Sequence, residues 1–507
     1  MSAGPLGLGM HLETSGPEHN ISEQNHGVST PGRNDDSDSG RLWLRTDGLD
    51  PAALLTAAVW VIWAVAVTVM AFRTMHAAPD YSDTLRLVND FIIPLESANG
   101  ADRFSLFVAE YQPLGHAHIL TRFSLLWSGS GWGGLYDFSI PGNIGRIAYL
   151  GMLAGVPAFI GTVGRREGAR YPWLAALLVL LVLIRVDGAA IYLNNFLAFE
   201  YVYLALAMAY VAVLAGYLTG RIRMHWALML GVVLALIGDA PGATALLAGA
   251  GVAMWVAVRT RRFDRRLVVP IVPIATSFVV AVALSPWSDA SLLAGGRSEL
   301  VRLGPWLARG VAQGVINLNK ASSWFGWSGS RTVLIATLAM LIFGIIVVQL
   351  IRSDPSKTGH VFAVGLIAFG LIAMLGAFAT RSADPGAIFA LRYLRLATPI
   401  IAGMVALLVL RLKADPRSIK TIGITGAVSI VFIGRLVVGG PDIRPLIDHF
   451  HNYETWFARY EPGTFDELSP EMEQFFRFQF WTQYGPDDGI VTRVLDWQAD
   501  HVRFETR

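Results

Sequence analysis

Two carboxylates, Asp80 and Asp83, stand three residues apart in the run Ala78-Pro79-Asp80-Tyr81-Ser82-Asp83, directly after the first long apolar stretch. On a helix that spacing aims both at one site, where one acts as a general base or both hold a divalent cation through hard oxygen ligands. The competing reading makes Asp80 or Ser82 the cap of a helix over 84–90. Farther on, Glu110, His116, His118 and Arg122 fall within thirteen residues. The two histidines diverge on a helix and a zinc site needs more ligands, so a pocket for sugar hydroxyls or phosphate, with Arg122 anchoring the anion, is the better expectation. Asn194, Asn195 and Glu200 are interleaved with Tyr192, Phe196, Phe199 and Tyr201. Aromatic faces with amide donors suit a carbohydrate ring, while the aromatics taken alone also suit an interfacial belt. Last come Arg381, Arg392 and Arg395 with Tyr393. A guanidinium fork matches phosphate or pyrophosphate on a lipid carrier, the plain alternative being contact with lipid headgroups.

The elements that must carry these residues are read from composition. The 507 residues are 53% hydrophobic and 15% charged, with a mean hydropathy of +0.48, whereas soluble domains are about 45–50% apolar and about a quarter charged. A polytopic membrane protein is expected. Its apolar runs are long and continuous rather than alternating, which favours an all-α transmembrane bundle over a barrel. Zero cysteines exclude disulfides, thiolate metal sites and cysteine nucleophiles. No basic helix or RNA-binding motif is present, so nucleic acid is not an expected partner.

Eleven apolar runs are visible, at 51–72, 143–163, 171–186, 201–220, 226–237, 242–258, 267–285, 332–351, 361–379, 398–410 and 421–439. The fifth and sixth are short and separated only by Gly238-Asp239-Ala240-Pro241, which leaves open a single broken hairpin there. Residues 1–50 hold 8 acids and 3 bases and residues 440–507 hold 13 acids and 6 bases, leaving 31 bases against 17 acids between them. Sixteen of those bases sit in alternate short loops, among them Arg165, Arg166, Arg221, Arg259, Arg262 and Lys413. With eleven spans, the excess of bases in these loops predicts a cytoplasmic N-terminus and an external C-terminus. Outer loops then cover 73–142, 286–331 and 380–397, with amphipathic helices expected at 84–95 and 300–316. Residues 1–50 read as a disordered cytoplasmic tail, since they lack the apolar surface to offset their ordering entropy. Residues 440–507, acidic yet rich in Trp and Phe, read as a small helical outer segment.

These residues and spans resemble a set of multi-pass bacterial inner-membrane proteins similar to the GT-C superfamily of lipid-linked-sugar glycosyltransferases. The resemblance covers about 51–410 and rests on His116 through Arg122, on Asn195-Phe196 with Phe199, and on Arg381 with Arg392-Tyr393. Where such proteins carry Glu before the first His, this chain has Gly115, with Glu110 upstream. The resemblance implies a polyprenyl-phosphate-linked sugar as donor, a cell-envelope glycan or lipid as acceptor, and Asp80 or Asp83 as the acid of the first outer loop. The competing class is a transporter or flippase of a lipid-linked saccharide or other amphiphile, for which Arg185, Asp239 and Arg435 are the candidate intramembrane charges.

Overall fold

The computed structural model describes residues 50–74, 82–108, 111–112, 115–116, 119–130, 135–185, 193–263, 266, 268–284, 303, 307–308, 310–312, 315, 330–381, 391–413, 418–439, 455–457, 459–467, 469–474, 477 and 488–502. All of them belong to one unit, 50–507, so the expected tail lies outside the described residues apart from Asp50.

Each of the eleven apolar runs lies on a helix: α1 (Pro51–Thr74) and, after the first loop, α6 (Ser139–Arg166), α7 (Pro172–Leu183), α8 (Asn195–Leu218), α9 (Met224–Ile237), α10 (Asp239–Thr260), α11 (Val268–Leu284), α12 (Ser330–Arg352), α13 (Thr358–Arg381), α14 (Leu391–Leu410) and α15 (Ile419–Gly439). Among the described residues, α1, α6, α8, α10, α13 and α15 are long and apolar enough to cross a membrane, and the apolar parts of the other five are shorter. The protein is therefore helical and built for a bilayer. Side chains such as Ile62, Ile147, Met340 and Ile430 stand largely exposed along these helices, which water would penalise and hydrocarbon does not.

Local chemistry sets the helix ends. Asp50 caps α1, its Oδ1 accepting the Ala52 N–H at 2.9 Å ahead of Pro51, whose missing N–H costs nothing there. Asn194 caps α8 by accepting the Leu197 N–H at 2.9 Å. The interruption at 238–241 is a tight turn between two separate helices, α9 and α10, with Asp239 at φ 45° accepting the Ala240 N–H. A short polar side chain that bonds its local backbone tolerates this left-handed conformation.

In the packed centre α13 lies on α14 and α10, α6 on α8 and α7, and α7 on α14. Only 11% of the apolar window of α1 and 17% of that of α15 is buried, against 61% for α8 and α13, so the first and last spans line the rim. Trp60 and Trp63 pin α1 to α6 by donating to the Leu150 carbonyl at 3.0 Å and the Tyr149 hydroxyl at 3.1 Å. The α6–α8 contact is close because it is built on glycine. A methyl at Gly145 would strike the Ala198 carbonyl, and one at Gly142 the Asn195 side chain.

The first loop folds as a layer. Helix α2 (Ser82–Leu87) runs through a π-helical turn (Val88–Ile92) into α3 (Ile93–Ser97), followed by α4 (Gly100–Val108), a hairpin of β1 (Tyr111–Gln112) and β2 (Gly115–His116), and α5 (Ile119–Ser130). The amphipathic stretch at 84–95 is thus helical with a π turn inside it, which buries Val88, Asn89, Phe91 and Ile92 together. Strand β1 packs on α11 and β2 on α10. Near the C-terminus α16 (Asp488–His501) rests on the π turn. Of the stretch at 300–316, the described residues are helical.

Candidate functional site

The described buried residues include four arginines, Arg122, Arg146, Arg185 and Arg435. All four arginines sit toward the end of the bundle at which α6, α8 and α14 begin and α7 and α15 finish.

Arg146 lies in the second turn of α6. It donates from Nη1 to Asn143 Oδ1 at 2.7 Å and from Nη2 to the Leu193 carbonyl at 2.7 Å and Asn195 Oδ1 at 3.0 Å. Asn194 and Asn195, expected to meet a sugar, therefore serve as the cap of α8 and as an acceptor for Arg146, while Glu200 follows on α8, half-buried. Sequence reasoning passed over Arg146. Its signal was a charge inside an apolar run, which a bilayer tolerates only with partners.

Arg122, on α5, donates from Nη1 to the Phe107 carbonyl at 3.0 Å and lies over the Phe91 ring at 5.3 Å. It binds the end of α4 and the π turn to α5, which positions the layer. Its neighbour Thr121 meets the Tyr203 hydroxyl of α8 at 3.2 Å through both its N–H and its Oγ1.

Arg435 donates from Nη1 to the Val182 carbonyl at 2.6 Å and from Nε to the Val315 carbonyl at 2.9 Å, tying α15 to the last turn of α7. Arg185, just past α7, donates to Thr398 Oγ1 of α14 at 3.4 Å. Beside it opens a narrow recess of about 20 Å³, room for about one water. Arg185 and Thr398 form its polar part, and Met152, Val156, Leu204 and Leu366 are among the apolar groups along its wall. Tyr149 and Tyr201, with ring centroids 4.5 Å apart, also line it.

Of the other expected site residues, Asp80, Glu110 and His118 lie outside the described residues. The backbone, and not the side chain, is described for Asp83 on α2, His116 on β2, Arg381 at the end of α13, and Arg392 and Tyr393 at the start of α14. Helix polarity brings Arg381, Arg392 and Tyr393 to the Arg185 end of the bundle, since α13 and α14 pack together. Among the described residues no group of three His, Cys, Asp or Glu is arranged to hold a metal ion.

The layer is clamped from the C-terminal side. Trp497 donates its indole N–H to Glu96 Oε1 at 3.0 Å and stacks on His501, the Tyr136 N–H donates to the His501 carbonyl at 2.6 Å, and Arg493 donates to Asn89. Burial, and then the Glu96 charge, push the Tyr136 hydroxyl above its usual pKa, so it stays protonated. Lower in this segment Tyr460, raised likewise by burial, donates to Asp496 at 2.6 Å.

No protein-family model matches the chain, and no curated protein and no solved structure matches it significantly.

Proposed function

We propose that the protein is a GT-C-like glycosyltransferase that moves a sugar from a polyprenyl-phosphate donor to a cell-envelope glycan or lipid acceptor at the outer face of a bacterial inner membrane. In this reading the chain crosses the bilayer eleven times, with the N-terminus cytoplasmic and 440–507 external. The observation that carries it is the narrow recess beside Arg185, where a guanidinium and a hydroxyl stand at the edge of an apolar wall. A polyprenyl phosphate has the matching form, one anionic head on a long hydrocarbon chain. Arg381 and Arg392 join Arg185 in holding the phosphate, and Tyr393, Glu110, His116 and His118 line the sugar and acceptor side. Asp80 or Asp83 takes the proton of the acceptor hydroxyl, whose oxygen attacks the anomeric carbon. The bond from that carbon to the phosphate oxygen breaks, and the lipid phosphate leaves with its charge stabilised by the arginines. A divalent cation held by the two acids would add to that stabilisation.

The transporter reading draws on buried charge along a path through the membrane. Arg435 is instead tied to main-chain carbonyls near the end of its helix, and Asp239 occupies a helix turn, which favours chemistry at one face.

The test is transfer from a labelled polyprenyl-phosphate sugar by purified protein in liposomes, alongside mass spectrometry of envelope glycans from a deletion strain. Asp80→Asn or Asp83→Asn abolishes turnover and preserves donor binding, whereas Arg392→Ala weakens donor binding. Full turnover in both Asp variants, in an assay where the Arg392 variant fails, would make those acids helix caps and remove the catalytic half of the proposal.

A further inference from the structure

At the other end of α8 and α10 their last turns, with the segment leading into α13, enclose a cleft of about 440 Å³. Its inner wall is apolar, formed by Leu218, Ala253, Val256 and Ala257, and its rim carries Arg262, Arg266, Thr219, Thr260 and Ser356. We propose that this cleft binds the headgroup of an anionic phospholipid that carries hydroxyl donors, as phosphatidylglycerol does. The inference is independent of the reaction proposed at the opposite end.

Charge argues for the phosphodiester. Arg266 is fixed over the cleft by its Nη1 bond to the Leu218 carbonyl at 3.2 Å, Arg262 is exposed on the rim, and Arg259 is held alongside by the Ser353 carbonyl at 3.4 Å. The acid of the adjoining loop, Asp354, is turned into that loop, its Oδ1 accepting from Ser356 N at 3.0 Å and Ser356 Oγ at 2.7 Å. A basic notch between helix ends at a membrane boundary is suited to a lipid phosphate.

The hydroxyls refine the choice of headgroup. Thr260 donates to the Val256 carbonyl at 2.8 Å and Ser356 to Asp354. With their protons spent on the protein, these two oxygens offer lone pairs to a ligand, while Thr219 already meets the Thr358 hydroxyl at 2.7 Å. The rim thus asks for an anion at the arginines and hydrogen-bond donors beside it. Glycerol phosphodiester supplies both, whereas phosphocholine has neither net charge nor a donor. The apolar wall continues toward Met254 and Val258, exposed on the lipid side of α10, giving an acyl chain a surface to follow.

The experiment is native mass spectrometry of the purified full chain in detergent, titrated with phosphatidylglycerol or phosphatidylcholine, with inorganic phosphate as competitor. Phosphatidylglycerol should bind at least about tenfold tighter than phosphatidylcholine. Arg262→Gln should weaken it about tenfold, the loss of one charge-assisted contact. Arg261→Gln, the same charge change off the rim, should leave it unaltered. Thr260→Val, which keeps every charge and the helix, should weaken phosphatidylglycerol as well, and it carries the test if the Arg262 variant melts early. Equal weakening by Arg261→Gln and Arg262→Gln would reduce the attraction to diffuse charge. Equal binding of the two lipids would overturn the headgroup assignment, and displacement of the lipid by inorganic phosphate would make a soluble phosphate the occupant.

Discussion

Arg185→Gln separates an arginine that binds a ligand from one that holds the fold. Arg185 is 5% exposed and donates to Thr398 Oγ1 at 3.4 Å, a long bond that by itself is worth about 0.5 kcal/mol. A bond from the same guanidinium to a lipid phosphate in an apolar recess is worth about 1.5–3 kcal/mol, or about 10- to 150-fold in affinity. The expected outcome is a loss of polyprenyl-phosphate binding of that size in calorimetry on nanodisc-embedded protein that still melts cooperatively. Arg185→Lys should fall between, since an ammonium keeps the charge and loses the planar fork. Thr398→Val removes the 3.4 Å partner and retains the charge, so it should weaken binding by less than about threefold, a share of one neutral hydrogen bond. Binding by the Gln variant within twofold of the parent would refute the recess as the phosphate site. A collapse of stability without ligand would show that Arg185 belongs with Arg435 as a structural tie.

Three further outcomes concern the scaffold. Glu167, with its side chain 6% exposed, accepts the Thr358 and Gly359 N–H groups at 2.5 and 3.1 Å and pairs with Arg221 at 3.2 Å; Glu167→Ala should cost about 2–3 kcal/mol, read as a lowered melting temperature, because it uncaps α13. Burial pushes the Asp354 carboxyl up, but hydrogen bonds from Ser356 outweigh it and hold the group below its usual pKa. A depressed folded-state pKa means stabilisation that is present above the unfolded value near 4 and lost as pH falls through the folded one. The deficit of Asp354→Asn, about 1 kcal/mol at pH 7, should therefore shrink as unfolding is measured at progressively lower pH, and a deficit that grows on acidification would contradict the assignment. The Gln498 carboxamide is fully buried in α16 with no hydrogen-bond partner among the described residues; Gln498→Met should raise stability by about 1 kcal/mol, and a loss would reveal a partner for it.

The helices were legible because hydrocarbon imposes one rule on every span: the backbone must satisfy itself along an apolar run. All eleven runs lie on helices, with most ends within a few residues of the sequence boundaries; α8 starts earlier, capped by Asn194, as does α6, where Asp137 accepts the Ser139 N–H, and α14 begins seven residues ahead of its run. The span count is harder to read from hydropathy alone, since α9 has only 14 residues, about 21 Å at the usual rise. The first loop was legible as amphipathic, but its π turn and hairpin depend on contacts with α10, α11 and α16, which no local pattern encodes.

The site was less legible because residue type fixes what a side chain can bond and leaves open which partner it finds. Asn195 has the equipment of a sugar ligand and also that of an arginine acceptor, and the choice is made by Arg146, forty-nine residues earlier, across a contact that Gly142 and Gly145 keep close. Arg122 illustrates the same ambiguity, its guanidinium matching a phosphate as well as a main-chain carbonyl and finding the latter at Phe107. The distribution of arginine carries more information than any single one. At the loop end the bases are solvated and numerous, the ordinary solution to charge beside a bilayer. At the other end the four buried arginines occupy the interior, where each must offset a desolvation penalty of several kcal/mol. Arg122, Arg146 and Arg435 do so with carbonyls while joining elements. Arg185 also lines a narrow apolar recess with a hydroxyl beside it, and a guanidinium in that setting is suited to an anion that arrives with its own hydrocarbon chain.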